Sequence, residues 1–372
     1  MVDSNVLDIQ KNFKSAVNEI TIRRPDDWHI HLRDGNMLGL TVSHAARQFG
    51  RVIVMPNLKP PVDSVKAALE YRSQILEALD QTSNGKSSKQ HGFTPLMTLY
   101  LTDQVDESVI DEAVATDCIK AVKLYPAGAT TNSEKGITDL MLFYKVFERM
   151  QKHGMPLLIH GEVTDRSVDI FDREAVFVDR HLSKLRQEFQ QLRIVLEHVS
   201  SKQGVDFVTG HASNTAATIT PHHLMLCRNH IFDGGLHPHH FCLPVVKTED
   251  DRAAIVRAAT SGQSCFFAGT DSAPHLRQNK ESASGAAGIY SAHAAVELYA
   301  QVFDKAAALD ERFEAFMSKN GAQFYGLEPS EETMTLVRKS WKVIDFYDTE
   351  AGELVPLCAG DQIEFQIVDD EA

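Results

Sequence analysis

Eight short, β-rich apolar runs, with longer stretches of helical patterning between them, constrain this chain more than any other feature. The runs are WHIHL at 28–32, RVIVM at 51–55, PLMTLYL at 95–101 and IKAVKLY at 119–125, then PLLIH at 156–160, RIVLEH at 193–198, AATIT at 216–220 and CFFAGTD at 265–271. In one intervening stretch Val178, Leu182, Leu185, Phe189 and Leu192 step by four, three, four and three, the spacing of a helical stripe. Strand–helix alternation repeated in this way predicts an α/β fold, a (β/α)8 barrel of the TIM type. An open doubly wound sheet is the competing arrangement, but no G-x-G-x-x-G or G-x-x-x-x-G-K-[ST] follows the early runs. After about residue 330 the pattern changes to WKVIDFYD and DQIEFQIV, which predict small extra strands or a tail packed on the barrel. The expected division is an N-terminal extension over 1–19, a barrel over 20–330 and a C-terminal segment over 331–372.

Charge and cysteine usage exclude several function classes. The 372 residues carry a net charge of −14, which argues against a nucleic-acid partner, because phosphate-backbone binders need a basic face. A small anionic substrate is still compatible, since one local arginine outweighs a distant acidic surface. No apolar run approaches the roughly 20 residues needed to span a bilayer. The first twenty residues lack a signal-peptide core and an arginine-rich transit pattern. Five scattered cysteines (Cys118, Cys227, Cys242, Cys265 and Cys358) form no C-x-x-C pair, which points to a reducing compartment, the cytosol. QTSNGKSSKQHG at 81–92 reads as a polar surface loop.

Active sites of such barrels lie at the C-terminal ends of the strands, so what terminates each run matters most. The first ends with His29 and His31, on one face because strand side chains alternate. The fourth carries Lys123, on the face shared with Ile119 and Ala121; the fifth, sixth and eighth end at His160, His198 and Asp271. A lone histidine at a strand end is usually structural. Five strand ends presenting imidazole, carboxylate and amine together point to a metal site of the zinc type. Lys123 could simply snorkel at the rim. A lysine buried beside metal ions instead has a lowered pKa, and its neutral amine can add CO2 to become a carbamate, a two-oxygen ligand able to bridge two metals.

Other segments add polar groups around that centre. Arg33 follows His31 by two and begins the first βα loop, where a guanidinium fork can grip a carboxylate at two points. GATTNSEKG, directly after the lysine-bearing run, has the small, polar residues of a lid, although an ordinary connection would look similar. Asn57 in MPNL fits a turn equally well. His222, His223, His237, His239 and His240 crowd TPHHLML and GLHPHHF without a complete ligand set, so hydrogen-bonding or surface roles are expected for them. Cys242 and Cys265 read as packed thiols, and Trp28 as packing outward from the first strand against a helix.

RRPDDWHIHLRDG, IVMPNLKPPV, AVKLYPAGATTNSEKG, MPLLIHGEV, LEHVS, ATITPHHLM and GTDSAPH with the following QNKESASGAAG occur in this order, and over roughly residues 20 to 330 the chain resembles the amidohydrolase superfamily. Within it the likeness is to the shorter, bacterial-type dihydroorotases. The resemblance implies a two-zinc centre. His29, His31 and Asp271 would hold the more buried ion and His160 and His198 the other, with carboxylated Lys123 and a hydroxide bridging them. Arg33, Asn57 and His275 would hold a substrate carboxylate, the backbone of Leu243 and Ala287 the pyrimidine ring, and Thr130 and Thr131 the tip of a closing loop. Asp271 would carry the proton. The implied reaction is the reversible cyclisation of N-carbamoyl-L-aspartate to L-dihydroorotate in pyrimidine biosynthesis, by a cytoplasmic homodimer without nucleic-acid or membrane partners. Three alternatives stand beside it: a hydantoinase or dihydropyrimidinase, a mononuclear deaminase, and a non-catalytic assembly protein on the same scaffold.

Overall fold

The computed structural model describes residues 17–82 and 92–368. Most of the 1–19 extension and most of the 81–92 loop therefore lie outside the described residues. Strand β1 (Glu19–Arg23) precedes eight barrel strands: β2 (Asp26–Ile30), β3 (Arg51–Val54), β4 (Thr94–Tyr100), β5 (Ile119–Leu124), β6 (Leu157–Ile159), β7 (Ile194–Leu196), β8 (Thr215–Ile219) and β9 (Phe266–Ala268). Each overlaps one predicted run. They pair in sequence order, every pair parallel, from β2 to β9. The sheet comes round on itself where Asp271 N donates to His29 O at 2.8 Å and His31 N to Ser272 O at 3.1 Å. This is the predicted (β/α)8 barrel.

The stripe around residue 182 lies on a helix running from Arg173 to Glu188, with one wider, π-type turn at Val178–Leu182. Val178, Leu182 and Leu185 are buried on it; Phe189 ends the helix and Leu192 is buried beyond its end. Among the described residues no helix is long and apolar enough to cross a membrane.

The segment beyond 330 forms β10 (Thr333–Lys342), the short hairpin strands β11 (Tyr347–Thr349) and β12 (Gly352–Leu354), and β13 (Gln362–Ile367). β10 pairs antiparallel with β13 on one side and with β1 on the other, making a three-stranded sheet from both ends of the chain. Arg338 ties this sheet to the barrel's outer layer through Asp304 at 2.7 Å, and Glu364 N donates to Gln301 Oε1 at 3.0 Å.

Inside the barrel the floor is one apolar layer: Trp28, Ile53, Leu96, Ala121, Leu158, Val195, Ala216 and Phe267, with Ala322 and Tyr325 closing it from below. Trp28 therefore does not face outward as its alternation predicts. An extra residue in β2 opposite β3, between Asp27 and Ile30, turns both Trp28 and His29 inward. A second irregularity, where Met97–Thr98 faces Ile119–Ala121, separates Ile119 from the face of Ala121 and Lys123. Ile119 packs in the outer core and Ala121 in the inner one.

Trp28 stacks on Tyr325 with centroids 4.6 Å apart and planes 6° from parallel. The helix carrying Tyr325 approaches so closely that a Cβ on Gly321 would lie 2.0 Å from the indole nitrogen of Trp28. Gly321→Ala should consequently destabilise the protein by about 1–3 kcal/mol through overpacking, despite alanine's better helix propensity. A chemical-denaturation midpoint equal to that of the parent chain would show that the floor has room for the methyl group.

Candidate metal centre and substrate pocket

Above that floor the inward positions become polar. His29 and His31 extend from the end of β2, Lys123 lies within β5, and His160, His198 and Asp271 follow the ends of β6, β7 and β9. All six are buried, Lys123 completely. Asp271 Oδ1 lies 3.2 Å from His29 Nε2 and 3.0 Å from His31 Nε2, and the two imidazole nitrogens are 3.4 Å apart. Donor atoms of these three residues thus converge on one point, as ligands of a single ion do. The His198 ring sits 5.1 Å from that of His29 and 4.7 Å from that of His160, centroid to centroid.

Two carboxylates missed by strand-end reading complete the arrangement. Glu197, immediately before His198, contacts His29 Nδ1 and leaves His29 Nε2 to face Asp271. Thr218 Oγ1 donates to Glu197 at 3.0 Å and accepts from His198 N at 2.7 Å, so one hydroxyl ties both histidine segments together. Such outer contacts fix ring orientation and raise ligand basicity. Glu162 faces His160 Nε2 at 2.7 Å, so ligation through that atom requires Glu162 to give way. The inward alternation of Val195 and Glu197 was the signal available for Glu197.

The electrostatics fit a cation centre. Lys123 Nζ is buried without a hydrogen-bond partner, and burial lowers its pKa to about 8 despite Glu197 and Asp271 nearby. An unpaired buried ammonium is costly, which favours the neutral amine needed for CO2 addition. Burial also lowers His31 to about 3 and His198 well below its ordinary value, leaving both rings neutral. Burial opposes ionisation of Asp271, but His29, His31 and His198 hold its carboxyl well below the usual range. Residues of these types in this arrangement fit the two-metal, carbamate-bridged group that the resemblance implies. His198 Nδ1 is, like Lys123 Nζ, a buried polar atom without a partner.

Several of the remaining predicted residues contact one another in the loops after the barrel strands. Arg33 donates from Nε to Pro274 O at 3.3 Å and lies 3.2 Å through Nη2 from His275 Nε2. Tyr71 OH donates to Arg33 O at 2.6 Å, holding a backbone turn with φ of 60°. Asn57 Nδ2 donates to Thr131 O at 3.0 Å, and Asn132 Nδ2 donates to Asn57 O at 2.9 Å. Thr131 Oγ1 reaches Ala287 O at 3.5 Å, so the 130–132 loop touches the segments bearing Asn57 and Ala287. The backbone of Thr130 is bonded to the Ser133 hydroxyl. Leu243 sits half-buried between Cys242 and Pro244. Among the described residues six non-glycine residues have positive φ, and Arg33, Asn132, His198 and Asp271 are four of them. Each costs about 1–3 kcal/mol, which the surrounding bonds must offset.

The other histidines divide. His223, His237, His239 and His240 each make the hydrogen bonds expected of them. His222 does not: it is fully buried and neither ring nitrogen has a partner.

Comparison with known proteins identifies the family. Residues 26–332 match the amidohydrolase family. A dihydroorotase of Methylobacillus flagellatus is 51% identical over 350 residues, covering 94% of this chain and 99% of that one. Among solved structures, the Campylobacter jejuni dihydroorotase superposes with a TM-score of 0.85 at 34% identity, covering 96% of this chain and 99% of that one. The Saccharomyces cerevisiae dihydroorotase in complex with 5-fluoroorotic acid superposes equally well, 0.85 at 32% identity, covering 95% and 99%. On the strength of this likeness over nearly its whole length, the chain belongs to the amidohydrolase family and, within it, to the dihydroorotases, enzymes of cyclic-amide chemistry.

Proposed function

We propose that the protein interconverts N-carbamoyl-L-aspartate and L-dihydroorotate in pyrimidine biosynthesis, using two zinc ions held by His29, His31, Lys123 as its carbamate, His160, His198 and Asp271. The observation that carries this reading is the Arg33–His275 pair, hydrogen-bonded at 3.2 Å, in the loops that follow His31 and Asp271. A buried guanidinium there suits a substrate carboxylate, which the hydantoinase and dihydropyrimidinase substrates lack on their ring. The unpartnered, buried Lys123 supports a binuclear centre over a mononuclear deaminase. A full set of ligand-type residues argues against a non-catalytic scaffold role.

When bound, the ions polarise the scissile carbonyl and make water a competent nucleophile near neutral pH. The protein's own groups do the rest. Arg33, Asn57 and His275 hold the carboxylate and so orient the ring, while the backbone of Leu243 and Ala287 bonds its edge. In hydrolysis water adds to the ring amide carbon, Asp271 takes its proton, and the same carboxyl returns it to the leaving nitrogen. In cyclisation the ureido nitrogen attacks the side-chain carboxylate carbon and water departs, with Asp271 acting in reverse. The loop bearing Thr130 and Thr131 closes over the substrate.

Residues 20–330 form the catalytic unit in this reading, with 331–372 a C-terminal segment packed on the barrel. The all-thiol cysteines support a cytoplasmic location, and the family resemblance supports a homodimer. The direct test is turnover of both compounds by purified protein, alongside its metal content.

Three outcomes are expected. Lys123→Ala should bind fewer than two metals per chain and lose most activity, with partial rescue by short-chain carboxylic acids; two bound metals and parental rates would remove the carbamate from the mechanism. Arg33→Met removes charged hydrogen bonds of about 1.5–3 kcal/mol, so kcat/KM for dihydroorotate should fall by about 10- to 150-fold. Residual turnover of dihydrouracil, which lacks the carboxylate, should change little; an equal fall for both compounds contradicts the carboxylate role. Metal-replete Asp271→Asn should lose at least about 100-fold in both directions without shifting the equilibrium. Retention of more than about a tenth of the rate in that variant would take the proton-carrying role from Asp271.

A further inference from the structure

His222 is a buried group that the proposed reaction leaves unexplained. It is the second residue of the short helix Pro221–Met225 after β8, is fully buried, and has both ring nitrogens without a partner. A neutral imidazole presents at least one lone pair, and leaving both nitrogens unsatisfied in the interior costs about 1–3 kcal/mol each. Its neighbours are metal-ligand types. One donor atom each from His222, His223 and Cys242 lie within 4.8 Å of one another, all in buried residues.

A fourth donor adjoins them. Cys242 Sγ lies 3.2 Å and His223 Nε2 3.0 Å from the carbonyl oxygen of Pro244. His223 Nδ1 is 2.9 Å from Thr220 Oγ1. The hydroxyl can donate or accept, so His223 can move its ring proton to Nδ1 and free Nε2 without gaining charge.

We propose that His222, His223 and Cys242, with the Pro244 carbonyl as a fourth donor, form a second metal site for a thiophilic d10 cation of the zinc and cadmium class. Tetrahedral zinc with one sulfur and nitrogen ligands sets donor atoms roughly 3.3–3.8 Å apart, so donors within 4.8 Å need only small inward shifts. Binding breaks the S–H bond of Cys242, whose proton leaves to solvent, and forms a metal–thiolate bond. It also satisfies a nitrogen of His222. Thiolate and imidazole together select zinc, cadmium or copper(I) over magnesium or calcium.

The site is separate from the proposed catalytic centre in its donor set, because none of the six residues assigned there is a cysteine. Cys242 directly precedes Leu243, so occupancy would reposition the backbone that the proposed function assigns to the substrate ring. That consequence rests on the proposed function; the metal site does not.

Cadmium addition to the metal-replete protein tests the site, read by metal stoichiometry and by the ultraviolet thiolate-to-cadmium band. One further ion per chain should bind and produce the band. Displacement of the catalytic metals could not produce it, because those ligands carry no sulfur. Cys242→Ser should abolish both signals. His222→Gln, a milder change in a fully buried position, should weaken the extra ion at least about 10-fold. Cys227→Ser is the control, because Cys227 has its own imidazole neighbour, His230, at 3.4 Å; it should leave the band intact. Absence of the band in the parent protein overturns the proposal, as does a band that survives Cys242→Ser or disappears only with Cys227→Ser. Should Cys242→Ser fail to fold, the parent titration and His222→Gln decide the matter, and an undiminished extra ion in His222→Gln overturns it.

Discussion

Everything at the centre depends on the seam where β2 meets the end of β9. There the first strand of the barrel lies beside the last, and His29 and His31 come within 3.0–3.2 Å of a carboxylate more than two hundred residues away. Backbone bonds from Asp271 to His29 and from His31 to Ser272 make the seam. Asp27 reinforces it, accepting from Thr270 N at 2.8 Å, Thr270 Oγ1 at 2.6 Å and His29 N at 3.1 Å. Burial raises the carboxyl of Asp27 to about 7, and its bonds to Thr270 work against that rise. Gly269 belongs to the same device. A Cβ there would lie 2.6 Å from Thr218 Cβ and 3.0 Å from His29 Cβ, so the histidine reaches its place because the residue just after β9 has no side chain.

The interior is therefore divided by solvation as much as by geometry. Below, Trp28, Phe267 and Tyr325 exclude water; above, imidazoles, carboxylates and an amine share a small volume. Charges in such a place are tolerated only when opposed and hydrogen-bonded. Glu197 and Asp271 supply that opposition for His29, Thr218 donates to Glu197, and Lys123 is left without a bond. Strained backbone at Arg33, His198 and Asp271 is held only by its surroundings. Barrel closure thus brings together the residues proposed to hold metal.

Several local details escape a reading based on alternation alone. Period two assigns His29 and His31 to one face and puts Trp28 on the other, but the irregularity in β2 turns Trp28 and His29 inward together. The same failure, at Ile119, separates a residue from the face it seemed to share with Lys123. Glu197 precedes the run-ending His198, and only the alternation with Val195 marks it as inward-facing. His222 and His223 look equivalent in the sequence. His223 bonds to Thr220 and Pro244, whereas His222 points into the interior unpaired. Adjacent residues on a helix face different surroundings, and nothing local says which surroundings are polar.

The sequence by itself determined the barrel, its eight strands and the chemical types at their ends, because periodicity and strand-terminal polarity are local properties that fold class follows closely. It also carried family membership, through long ordered motifs from RRPDDWHIHLRDG to GTDSAPH. Tertiary structure decided which of those residues meet. It brought Asp271 to His29, set Glu197 behind the imidazole, seated Thr131 against Asn57 and joined β1 to β10 across the length of the chain. These are contacts between distant segments, fixed by closure of the sheet, by two displaced registers and by packing within a crowded interior. Neighbouring residues do not encode such distances; only the closed barrel does.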